Sequence, residues 1–306
     1  MTDPMTDPET GAARGRYAAH EILVAPARAR PALWRLCAGL VLAVAIAFAL
    51  TAALQAALVA LAPEQWRGGL ADGRRPGQML VLLGGFGFVT LGVFVAARAL
   101  QGRAAAGLIG PLPLAARQFW RVLRALLVLG LVIALLPPHD LGLPLDRNLA
   151  PGRWLALLPL ALLAVLIQTS AEEILFRGYL QQGLAARFAR PAVWLILPSA
   201  LFAAGHFVPA EAGPNAPLIA LWAGLFGLAM ADLTARAGTL GPAIAVHFFN
   251  NVIALLILGA AEGLNGLALF TLPFDMADTG AMRQWLVVDF AMMGVSWLTA
   301  RLALRR

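Results

Sequence analysis

Three short stretches of this 306-residue chain carry side chains able to do chemistry. The first is Glu172-Glu173-Ile174-Leu175-Phe176-Arg177. On one helix Glu173 and Arg177 lie four apart and pair, while Glu172 is turned by about 100° and stays outside the pair. Two adjacent carboxylates then meet different surroundings, one neutralised and one available as a base. The second stretch is Phe202-Ala203-Ala204-Gly205-His206, an imidazole behind small residues that admit a neighbouring helix. The third is His247-Phe248-Phe249-Asn250-Asn251, in which His247 and Asn251 share a face one turn apart. Taken singly, each has a plainer reading: an ion pair where a helix leaves a membrane, an interfacial histidine, and amides that bond other helices. Together, a carboxylate, two imidazoles and an amide are the parts for activating water and stabilising an oxyanion. Glu172, His206 and His247 with an open fourth position could equally hold a zinc ion.

The elements that must position these groups are membrane helices. Apolar residues make up 60% of the chain and charged residues 13%, against about a quarter in soluble domains, so no wetted surface can cover it. Apolar runs span Leu36–Ala62, Met79–Ala97, Ala125–Leu136, Trp154–Ala171, Ala192–Ala204, Pro217–Ala231, Pro242–Ala260 and Trp285–Leu304. They predict an all-α polytopic bundle of about eight transmembrane helices, two of the runs being short for a span. Four glycines in the second (Gly84, Gly85, Gly87, Gly92) predict close helix contact. All 23 basic side chains are Arg. With the N-terminus inside, 17 fall on the inner side and 6 on the outer, which places both ends in the cytoplasm and favours an even number of helices. Lying between apolar runs, these charges suit anionic lipid and not nucleic acid.

Residues 1–33 are polar and predict a disordered cytoplasmic tail, with Met5 as an alternative start; residues 34–306 form the membrane domain. Cys37 is the single cysteine and is expected to pack; His20 and His139 are expected to be solvated. Asp232 and Arg236 predict an interfacial pair, and Trp34, Trp66, Trp120, Trp154 and Trp285 an aromatic belt.

Ionisable groups inside spans cost roughly 2.5–3.5 kcal/mol each and usually have a function. HExxH is absent, and Ser170, Ser199 and Ser296 stand in no GxSx context, so neither a helix-borne zinc motif nor serine chemistry of the rhomboid kind is encoded. EExxxR, FxxxH and HxxxN, in that order within about residues 150–260, resemble the CPBP family, the CAAX protease and bacteriocin-processing group that includes type II CAAX prenyl proteases. The resemblance implies a helical bundle of about eight spans and an intramembrane endopeptidase. By it, Glu172 with His206 polarises a water, and His247 and Asn251 stabilise the oxyanion. Glu173 and Arg177 order the site, and Phe202 packs beside His206. The implied partners are a peptide or membrane-protein substrate and the lipid bilayer, and the expected location is a bacterial inner membrane. The same cluster would also suit a non-proteolytic scaffold or immunity-type protein. A proton-relay transporter fits less well, since paired broken helices are missing.

Overall fold

The computed structural model describes residues 15–61, 73–137 and 144–305; Trp66 and His139 lie outside them. Among the described residues, six helices are long and apolar enough to cross a membrane. These are α1 (Leu33–Leu61), α2 (Pro76–Gln101), α3 (Leu112–Leu135), α4 (Pro151–Arg187), α6 (Pro209–Ala237) and α8 (Thr279–Leu304). Two shorter apolar helices, α5 (Pro191–Gly205) and α7 (Gly241–Ile257), complete the expected eight, and they are two of the three that bring site residues inward. Phe48, Leu135 and Val287 are each at least two-thirds exposed, an apolar exterior that suits hydrocarbon. The chain is a multi-pass membrane protein.

Proline starts several helices where a missing N–H costs nothing, including α4 at Pro151 and α5 at Pro191. Gly238, at φ +72°, stops α6 in the left-handed conformation. Asp278 caps α8 by accepting from the backbone N–H groups of Gly280 and Ala281 at 2.9 and 3.0 Å. Of the four glycines in α2, Gly92 is the one at a close crossing: a Cβ there would meet Ala43 O of α1 at 2.5 Å, whereas Gly84 and Gly85 face open space. Gly241 serves the same purpose where α7 starts against Ala115 O of α3. Three two-residue strands, β1 (Asp146–Arg147), β2 (Leu258–Gly259) and β3 (Phe270–Thr271), tie loops at the far end of the bundle, β3 pairing antiparallel with β1 and parallel with β2.

Part of the predicted tail is ordered. Residues 18–29 form short helical turns against α4, α5 and α6, and Leu23 and His20 are buried among them. His20 is therefore not solvated: its ring lies 4.7 Å from Trp194, and its Nε2 is 3.5 Å from Gln181 Nε2. Burial in this apolar contact pushes its pKa down to about 4, opposed weakly by Glu21 and helped weakly by Arg28. The polar composition hides the packing because the apolar side chains, Ile22 to Val24, are few and local. Cys37 is exposed and not packed. The Asp232–Arg236 pair forms at 2.8 Å.

Candidate active site

The polar face of α4 begins at Gln168 and runs through Glu172, Glu173 and Arg177. Glu173 has no exposed surface, and Arg177 is 1% exposed. Carboxylate and guanidinium meet at 3.1 Å, and Arg177 Nη2 also donates to Gly227 O of α6 at 3.0 Å. The guanidinium lies 5.0 Å from the Phe202 ring, a cation–π contact that holds it from α5. Burying either charge alone would be strongly destabilising, so each is the condition for the other.

α7 adds an imidazole to this pair. His247 Nδ1 and Glu173 Oε1 are 2.8 Å apart, and the ring is 3% exposed. A carboxylate on Nδ1 assigns the proton of the neutral ring to that nitrogen and leaves Nε2 basic. Nε2 faces Glu172 Oε2 at 3.5 Å. Glu172 is 15% exposed; its Oε1 accepts from Gln168 Nε2 at 2.8 Å, and its Oε2 has no hydrogen-bond partner. The two adjacent glutamates are thus differently held, as their spacing predicts: one is locked between Arg177 and His247, and the other keeps a free oxygen.

Phe202 is the aromatic hub. Its buried ring stands 4.3 Å from His206, 6.1 Å from His247 and 5.1 Å from Phe176. His206 terminates α5, and its Nδ1 bonds Phe202 O at 2.8 Å. That carbonyl puts the ring proton on Nδ1 and makes Nε2 the open nitrogen. The histidine placed opposite Glu172 is His247, whereas the motif places His206 there; His206 joins the cluster through the Phe202 ring. Asn251 Nδ2 donates to Gln168 Oε1 at 2.8 Å.

Residues 154–253, which hold every one of these groups, match the family model described as Type II CAAX prenyl endopeptidase Rce1-like. That stretch is similar to the CAAX-protease-like family over about a third of the chain. It is also 31% identical over 119 residues to the uncharacterized protein YyaK of Bacillus subtilis (strain 168), which is 38% of this chain and 38% of that protein. No solved structure matches.

The residue that motif spacing misses is Gln168. Its signal is physical: it lies one helical turn before Glu172, and it is a polar side chain within an apolar run. For the zinc set drawn from sequence, Glu172, His206 and His247, the geometry adds no support: among the described residues no group of three or more His, Cys, Asp or Glu is placed to hold a metal ion.

Proposed function

We propose that this chain is an intramembrane endopeptidase in which Glu172 is the general base for peptide-bond hydrolysis. The observation that carries the reading is the unpartnered Glu172 Oε2, 3.5 Å from the basic Nε2 of His247 in a nearly closed site. Both are acceptors, and a water that donates to both is polarised for attack. Attack forms the new C–O bond and sends the water's proton to Glu172, which returns it to the leaving amine as the C–N bond breaks. Asn251 keeps one amide N–H beyond its bond to Gln168, and that group is available to the developing oxyanion. Glu173 and Arg177 fix the His247 tautomer, and His206 Nε2 is a second basic group at the α5 end.

His247 lies only about 9 Å along α7 from its start at Gly241, at 1.5 Å per residue. The start of α7 adjoins the N-terminal turns, Gly238 lying against Ala19, and the arginine distribution favours the cytoplasmic side for that end. Cleavage near the cytoplasmic side follows. The family description points to peptides with a prenylated C-terminal tail, and a bacterial host would point to unprenylated membrane-anchored peptides.

The test uses purified protein in nanodiscs with two internally quenched peptides, one ending in a farnesylated CAAX sequence and one membrane-anchored without prenyl. Wild type is expected to cleave at least one of them about a hundredfold or more faster than Glu172→Ala. Equal rates for wild type and variant would sink the proposal.

A further inference from the structure

Three amides and one carboxylate form a continuous hydrogen-bonded chain across α4 and α7. Asn250 Nδ2 donates to Asn251 Oδ1 at 3.2 Å, Asn251 Nδ2 to Gln168 Oε1 at 2.8 Å, and Gln168 Nε2 to Glu172 Oε1 at 2.8 Å. Its direction is dictated from one end. An ionised carboxylate only accepts, so Gln168 must turn its NH2 group to Glu172 and its carbonyl to Asn251. Asn251 must then offer its NH2 group to Gln168 and its carbonyl to Asn250. The charge on Glu172 thereby sets which way the amide of the neighbouring helix points. Gln168 is 6% exposed, and both ends of its amide are used, so it has no alternative partner in water.

We propose that Gln168 is a positioning residue that joins the general base to the oxyanion donor, an inference that rests on the hydrolytic reading above. By occupying Glu172 Oε1 it leaves Oε2, the oxygen facing His247, to take the proton. By accepting from Asn251 it holds that amide with one N–H free on the same side of the site. When Glu172 is protonated during the reaction the bond at Oε1 weakens, because a charge-assisted bond becomes a neutral one. The base and the oxyanion donor therefore change state together.

Two substitutions separate this role from packing. Gln168→Leu removes both bonds at similar volume. Gln168→Glu keeps an acceptor for Asn251 and replaces the donor to Glu172 with a second carboxylate. The readouts, both in nanodiscs, are kcat and KM for the two quenched peptides and, without substrate, labelling of Glu172 by dicyclohexylcarbodiimide measured by mass spectrometry. In Gln168→Leu, kcat is expected to fall roughly ten- to hundredfold with KM within about twofold, the scale of one hydrogen bond to a charged group. Gln168→Glu is expected to fall at least as far, and both variants are expected to label Glu172 about threefold or more faster than wild type. Wild-type kcat and labelling in Gln168→Leu would overturn the proposal, as would a loss confined to KM with labelling unchanged. If wild type cleaves neither peptide, the hydrolytic reading fails, while the labelling ratio still decides whether Gln168 governs Glu172. Should one variant fail to fold, the other carries the same readouts.

Discussion

Two carboxylates of nearly equal exposure sit in this bundle and are treated in opposite ways. Asp232 of α6, 14% exposed, accepts from Tyr17 OH at 2.8 Å and Trp297 Nε1 at 3.0 Å, and Arg236 Nε lies 2.8 Å from both of its oxygens. It ties the N-terminal turns, α6 and α8 together, and each oxygen is occupied. Glu172, 15% exposed, has one oxygen held by Gln168 and one that makes no hydrogen bond and only faces His247 Nε2 at 3.5 Å. Close by, Glu173 Oε2 and Arg177 Nε also lack partners. Burial therefore does not separate the two sites. Completeness does: a saturated carboxylate is a joint, and an incomplete one is what the proposed hydrolysis requires of its base.

The largest effect that could break this contrast is on cleavage. Glu172→Gln is expected to lower kcat about a thousandfold with little change in thermal midpoint, whereas Asp232→Asn keeps kcat within about threefold. Comparable losses in the two variants would erase the distinction. Next comes stability at the incomplete site. Arg177→Leu leaves the buried Glu173 charge uncompensated and is expected to cost about 3–5 kcal/mol in reversible denaturation, much of it recovered in the Glu173→Gln/Arg177→Leu pair.

Smaller effects belong to the saturated site. His20 has a folded pKa of about 4 against 6.5 unfolded, so the unfolded state binds the extra proton between those values. Docking of residues 18–29 is then fully stable above pH 6.5 and weakens as pH falls toward 4, by about 3 kcal/mol at most, readable as hydrogen exchange of those amides. Asp232→Asn is expected to cost about 1–2 kcal/mol and to speed tryptic cleavage at Arg28 and Arg30. The smallest effect concerns zinc. Dialysis against a chelator is expected to leave cleavage within about twofold, since the site's ligands are not gathered around one point. A loss that zinc restores would show that the two carboxylates differ by metal binding and not by hydrogen-bond completeness.

Much of this contrast is legible in sequence. The eight helices follow from apolar runs, because hydrocarbon allows little but an internally bonded helix. The separate environments of Glu172 and Glu173 follow from helical geometry, since Arg177 can reach only one of them. That His247 and not His206 faces Glu172 is something spacing does not carry: α5 ends at Gly205, so His206 folds back on its own Phe202 carbonyl. Gln168 escapes because no charge marks it and its importance lies in two partners on different elements. The N-terminal turns escape because Tyr17, His20 and Leu23 bury against surfaces that exist only once α4, α5 and α6 have assembled.

Beyond Glu173, the stretch Ile174–Gln181 of α4 is π-helical, a wider turn than the α-helix on either side. One extra residue rotates everything after it by about 100° relative to an uninterrupted helix. At its end lies Gln181, bonded to Ala231 O and beside His20, and just after it Gln182, bonded to Leu108 O and Arg103. The widened turn therefore works as a phase adjuster. It lets a single rod aim its carboxylates at α7 on one stretch and its glutamines at α6, His20 and the connection between α2 and α3 on the next. Deleting one residue from it would put those two faces out of register without touching either of them.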